Sequence, residues 1–316
     1  MDHHPTRFPL LRLPLVAIRE VLSMINPFEM LNFSLVNPKC KLLGKSCAKF
    51  GVHCEYKVWM TIWDNSLSVE FVGSHVHHIF EITSDPEKDG TRKYESDGDS
   101  TRDTLLIYAE DRIEEWKRRF EYAREILKLN MEDIYWKLDV FKSENKDIID
   151  WLSSLAPILP RIYLEGRNSE PDDFSYFIQK FQVTKWFQVD IQSNVPWISL
   201  ENLLRQDCIR LQLRKVDLKA EELGIFLNKW INMECSQRLW KFEVNVKNAE
   251  DFETILKDVH HIIGDPERAI EWRRDSIIHK GVDITRKDGV VAKICTFHDM
   301  DDVKMIMEIQ KPILEE

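Results

Sequence analysis

Cys40, Cys47 and Cys54 stand near His53, and thiolate with imidazole is zinc-ligand chemistry. Structural zinc sets bring their ligands in closely spaced pairs, and these cysteines are too far apart for that. Buried or surface thiols are the simpler reading. His75, His77 and His78 form a second cluster. Strand alternation puts His75 and His77 on one face, where two imidazoles begin a transition-metal site. No third ligand stands at a telling distance, so a surface turn accounts for them. His260 and His261 suit the end of a helix, where an imidazolium meets the negative pole of the dipole. Cys208 or Cys235 would serve as a nucleophile only beside a base, and no motif supplies one. The 54 acidic residues are explained by a charge-rich surface. No catalytic residue, metal site or cofactor is expected, and the chemistry left is recognition.

The elements that would position a recognition surface begin near the amino end. Residues 8–36 hold a dense apolar run interrupted by Pro14 and Pro27. Proline is tolerated at the first position of a helix, where its missing N–H costs nothing. Asn26 precedes Pro27 and Asn37 precedes Pro38, and Asn caps a helix by accepting an orphan backbone N–H. Three short helices are predicted, starting near 14, 27 and 38. Leu15, Ile18, Val21, Leu22 and Ile25 make a stripe at helical spacing in the first. Phe28, Met30, Leu31, Phe33, Leu35 and Val36 surround the axis of the second, which must then be covered on more than one side. A unit of roughly 40 residues buries too little of its own surface to stand alone, so a partner is expected.

Leu13-Pro14, then Val21-Leu22 and Ile25, then Pro27, Leu31 and Ser34-Leu35-Val36 stand in the register of an F-box, which residues 8–45 resemble. The opening Phe8-Pro-Leu-Leu-Arg-Leu-Pro14 is similar to the large nematode branch of that family. The resemblance implies docking on a Skp-type adaptor, and through it a cullin, by Leu13, Pro14, Val21, Leu22, Ile25, Pro27, Leu31 and Val36. The third helix departs from the pattern: Asn37-Pro-Lys-Cys-Lys41 has no Trp after it.

Hydrophobic content of 43% and charged content of 31% over 316 residues describe a soluble globular chain of one large or two moderate domains. A net charge of −10 argues against a nucleic-acid partner, which would call for a basic stripe. No apolar run reaches the ~18 residues that span a bilayer, and no membrane partner is expected. The amino end lacks the pattern of a signal peptide. Six cysteines spread this thinly suit a reducing compartment, so the expected location is cytoplasmic or nuclear.

Residues 55–83 alternate like a small antiparallel meander. Residues 84–103 lack aliphatic side chains and read as a mobile loop. A helix follows over 110–129, with Ile113, Trp116, Phe120, Ala123 and Leu127 as its stripe and Glu114–Arg118 and Glu115–Arg119 as solvent-side pairs. Five strand-like runs then alternate with helices. Leu138, Leu164, Val189, Leu213 and Val244 anchor steps of 26, 25, 24 and 31 residues. Helices are expected over 145–155, 172–181, 199–206, 219–233 and 249–258, with Asp172, Ser199 and Asn248 as caps. A period in the twenties predicts a leucine-rich-repeat-like αβ solenoid. The strands alternate, as in Ile209, Leu211 and Leu213 against Arg210, Gln212 and Arg214, and as in Trp240, Phe242 and Val244 against Lys241, Glu243 and Asn245. A sheet with helices on both faces would instead show continuous apolar strands. Asp288-Gly289 marks a hairpin, and 303–309 a further strand.

The fold class expected is mixed α+β and α/β: three helices, then the solenoid, with short antiparallel strands at its ends. The divisions are 1–50, 51–130 and 131–316. The polar face of the solenoid should carry Tyr163, Trp186, Gln188, Arg210, Gln212 and Arg214, types that hold a protein target, with Lys241, Glu243 and Asn245 also exposed. Residues 183–191, 211–216, 223–230 and 281–289 resemble an F-box-associated domain of the second type. Together the two resemblances imply a non-enzymatic substrate receptor of a Skp-cullin-F-box (SCF) ubiquitin ligase. The competing class is a repeat scaffold outside the ubiquitin pathway.

Overall fold

Proline and asparagine set the helix starts at the amino end. After a 3-10 turn at Leu10–Arg12 come α1 (Leu15–Met24), α2 (Pro27–Leu35) and α3 (Pro38–Cys47). Asn26 accepts the Glu29 N–H at 2.9 Å while the Glu29 carboxylate takes the Asn26 N–H at 3.0 Å, a reciprocal cap. Asn37 accepts the Cys40 N–H at 2.9 Å. The computed structural model describes residues 10–47, 56–64, 66–167, 171–191, 198–215, 218–248, 250–263, 278–299 and 302–310. It divides into two compact units, 1–132 and 133–316. His53 and Cys54 lie outside the described residues.

In the first unit the helices are followed by β1 (Lys57–Trp63), β2 (Ser66–Val72), β3 (Val76–Thr83), β4 (Arg92–Ser96), β5 (Thr101–Tyr108) and α4 (Arg112–Leu127). The strands are ordered β1-β2-β3-β5-β4. β1, β2 and β3 form the expected meander, but β5 lies parallel to β3 and antiparallel to β4. The mobile loop expected over 84–103 is therefore corrected. Most of it is built: a 3-10 turn at Pro86–Lys88, then β4, then the start of β5. Backbone pairing and the Arg92–Asp103 ion pair replace the missing aliphatic contacts. The stripe of α4 is buried as expected, and Trp116 donates its indole N–H to the Ser68 carbonyl at 2.8 Å. Its solvent pairs shift by one residue, to Lys117–Glu114 and Arg118–Glu115, with Arg119–Glu115 retained.

The second unit builds its core from alternating strands under aromatic helices. β6 (Met131–Lys137), β7 (Ile158–Gly166), β8 (Gln182–Ile191), β9 (Arg210–Arg214) and β10 (Lys241–Val246) alternate with α5 (Asn145–Leu155), α6 (Pro171–Lys180), α7 (Leu200–Leu204) and α8 (Ala220–Ile231). A further helix, α9 (Asp251–Leu256), follows β10. From β6 to β10 each strand is parallel to the next. Trp136, Leu164, Phe187, Leu211 and Phe242 face the helices and are buried. Phe174 stacks on Phe187 with ring centroids 6.4 Å apart, and Phe226 meets Phe242 at 4.9 Å. Ser199 caps α7 and Asn248 accepts the Asp251 N–H, whereas Asp172 lies within α6.

A leucine-rich-repeat-like solenoid does not result, because the sheet is mixed. Past β10 come β11 (Ile262–Ile263), β12 (Ile278–Thr285), β13 (Val291–Asp299) and β14 (Asp302–Ile309). β14 pairs antiparallel with β10, followed outward by β13, β12 and β11. The parallel repeat ends after the 31-residue step, where an antiparallel meander takes the next strand position. Gly289, at φ 88°, turns the β12–β13 hairpin in a conformation glycine adopts without strain.

Candidate protein-interaction surfaces

The helices α1 to α3 dock on α4 of their own unit. Ser34 Oγ and the Tyr122 hydroxyl are 2.7 Å apart, and Lys41 and Lys45 both reach Glu125, at 2.9 and 2.6 Å. Gly44 lies where α3 meets α2 and α4: a Cβ there would stand 3.5 Å from Ile126, Met30 and Ser34, ordinary contact. One side of the helical unit is thus covered by α4. Of the twelve large apolar side chains left exposed among the described residues, six lie between Leu15 and Leu42. They are Leu15, Val16, Met24, Leu35, Val36 and Leu42, at 49–71% exposure. Single exposed apolar residues need no explanation, but this concentration makes the helices a candidate interaction surface.

The residues expected to touch an adaptor divide accordingly. Pro14 and Val36 are exposed, and Leu13, Val21 and Ile25 are half-buried. Leu22, Pro27 and Leu31 are buried, because α2 and α1 turn these side chains toward the rest of the unit. Leu15, Val16, Met24, Leu35 and Leu42 are exposed as well. A helical stripe read from sequence cannot tell which side faces α4.

The polar face of the second unit is a grid set by strand register. One row runs Asp133, Arg161, Trp186, Arg210 and Lys241, and the next Tyr135, Tyr163, Gln188, Gln212 and Glu243. The last holds Lys137, Glu165, Asp190 and Arg214. Register thus brings all six expected target-binding residues together. Trp186 and Arg210 are exposed, while Tyr163, Gln188, Gln212 and Arg214 are half-buried. Glu243 and Asn245 are corrected to buried positions. Glu243 takes a hydrogen bond from Gln212 at 3.1 Å and an ion pair from Lys304 at 3.6 Å, and Cys295, Phe297 and Ile306 form a separate apolar cluster beside them. Burial, with the carboxylates of Asp190 and Glu165 nearby, pushes the Tyr163 hydroxyl up to about 12, so it stays a neutral donor. The Arg210 guanidinium lies over Trp240, 4.7 Å from the ring centroid, and over Trp186 at 5.9 Å. Trp240, read as a core residue by alternation, precedes β10 and serves instead as a platform for Arg210.

Of the residues considered for catalysis and metal binding, Cys208, Cys235 and His78 are buried, and His78 and His261 lie within hydrogen-bond range of a neighbour. Burial pushes the Cys208 thiol up to about 12 and the Cys235 thiol to about 11, which removes the thiolate a nucleophile needs. His78 points inward, its Nδ1 3.0 Å from Asp103. His261 Nδ1 lies 2.7 Å from the Val259 carbonyl, past the end of α9 rather than in it. Among the described residues no three His, Cys, Asp or Glu side chains are grouped to hold a metal ion, and no helix is long and apolar enough to cross a membrane.

Residues 10–50 match the family described as F-box domain, and residues 175–244 match the one described as F-box associated. The chain is an F-box protein with an F-box-associated domain. No curated protein and no solved structure matches it significantly. The F-box match covers α1 to α3, the helices with the exposed apolar side chains. The F-box-associated match runs from α6 to β10 and includes Trp186, Arg210 and Arg214. F-box domains bind Skp-type adaptors, and F-box proteins are in general non-catalytic adaptors.

Proposed function

We propose that this F-box protein is the target-recognition subunit of an SCF-type E3 ubiquitin ligase. Residues 1–50 dock on the Skp-type adaptor and so on a cullin, 51–130 brace the docking helices, and 131–316 hold a target protein on the polar sheet face. Catalysis belongs to the recruited conjugating enzyme, and this chain contributes proximity. The observation that carries the reading is the set of uncovered apolar side chains on the F-box helices themselves, from Leu15 to Leu42. On this reading Leu13, Pro14 and Val36 touch the adaptor together with Leu15, Val16, Met24, Leu35 and Leu42, and the chain works in the cytoplasm or nucleus.

Co-purification with a Skp-type adaptor tests it. The wild-type chain retains the adaptor. Leu13→Lys with Pro14→Lys loses it, by ~2–4 kcal/mol if both are buried anchors in the complex. A second pair, Leu35→Lys with Val36→Lys, gives the same loss from the end of α2. A folded wild-type chain that binds no adaptor leaves a scaffold outside the ubiquitin pathway.

A further inference from the structure

We infer that the row Arg161, Trp186, Arg210 and Lys241 takes an acidic peptide segment of the target, laid across strands β7 to β10. The inference deepens the target-receptor reading and rests on it. The chain carries a net charge of −10, yet this row places three cations on neighbouring strands. Arg161 has Asp133 at 3.4 Å. Among the described residues, Arg210 and Lys241 have no carboxylate in ion-pair range. Lys241 faces Glu308 across the β10–β14 pair, but no ion pair joins them.

The Arg210 guanidinium is also pre-positioned. Its contacts with the Trp240 and Trp186 rings hold it in place, while no carboxylate among the described residues pairs with it. A fixed fork loses less side-chain freedom on binding than a free one. Strands about 4.8 Å apart put Arg161 and Lys241 roughly 15 Å from each other, the reach of four or five extended residues. Exposed Trp186 offers an apolar contact in the middle of that span. An acidic segment with one apolar or aromatic residue matches the row in charge, length and pattern. A basic segment would set like charges against it.

Panning a random dodecapeptide library on the whole chain tests this, keeping the peptides that wild type retains and Trp186→Ala releases. These peptides should be rich in Asp and Glu and poor in Lys and Arg. Synthetic copies should bind at least about tenfold more weakly to Arg210→Gln with Lys241→Gln, and wild-type binding should weaken as salt is raised. If the Trp186-dependent peptides are neutral or basic, or bind the double variant and high-salt wild type unchanged, the acidic inference is wrong and the target face stands. If no peptide depends on Trp186, the target face itself is wrong and takes the inference with it.

Discussion

At the scale of single residues, two glycines make opposite demands. A Cβ on Gly224 of α8 would stand 2.7 Å from the Ile255 carbonyl oxygen of α9, closer than backbone allows. Gly224→Ala must push the two helices apart, at a cost of ~1–3 kcal/mol. A Cβ on Gly44 meets its neighbours at 3.5 Å, ordinary contact, and Ala gains up to ~1 kcal/mol of helix propensity. Denaturant unfolding should therefore show Gly224→Ala destabilised and Gly44→Ala unchanged or stabilised. The reverse order would contradict the helix packing described. Neither effect was legible beforehand, since a glycine inside a helical pattern looks the same whether a neighbour touches it or not. The same blindness hid Trp240, whose place in the alternation said core while the position of Arg210 made it a platform.

At the scale of elements, Asp103 of β5 joins β3, β4 and α2. Arg92 of β4 donates to it from Nε and Nη2 at 2.6 and 2.5 Å, and His78 of β3 lies 3.0 Å away. Phe28 of α2 packs on both, its ring 5.2 Å from that of His78 and 5.6 Å from the Arg92 guanidinium. Burial lowers the His78 pKa by more than the Asp103 bond raises it, with Arg92 adding to the fall. The unfolded chain then binds the proton more readily than the folded one. Stability therefore drops as pH falls below the unfolded value of about 6.5 and levels off below the folded value. For Asp103, burial opposes ionisation, but the bonds from Arg92 and His78 outweigh it and hold the carboxyl low. That contribution is lost only at more acid pH, below about 4. Denaturant midpoints at pH 7.5 and 5.5 should fall for wild type and fall less for His78→Gln. Equal falls would remove His78 as the cause. The starts of α1, α2 and α3 were legible because Pro and Asn act locally. β4 was not, because its stability comes from β5 and one ion pair, contacts that no count of aliphatic residues in 84–103 contains. β14 beside β10 was hidden for the same reason, joining residues about sixty positions apart.

At the scale of the whole molecule, the exposed apolar residues of the F-box helices make stability depend on company. A partner that binds only the folded state stabilises by mass action, about 2.7 kcal/mol when present at 100 times its Kd. Adding a Skp-type adaptor should raise the Tm of the chain and raise hydrogen-exchange protection in residues 15–47. An adaptor that leaves both unchanged does not bind this surface. The parallel order of β6 to β10 was legible from the strand–helix period, but the length of the sheet was not, since a repeat does not announce where another topology takes over. That changeover limits what the polar face can hold. Beyond β10 the register runs from Glu243 into buried Ile306 and Cys295, so the row that begins at Tyr135 offers a guest no more than five strands. Five strands measure roughly 19 Å, about six extended residues. A word that short recurs by chance in many sequences, so discrimination among proteins that contain it must come from how openly each one displays it.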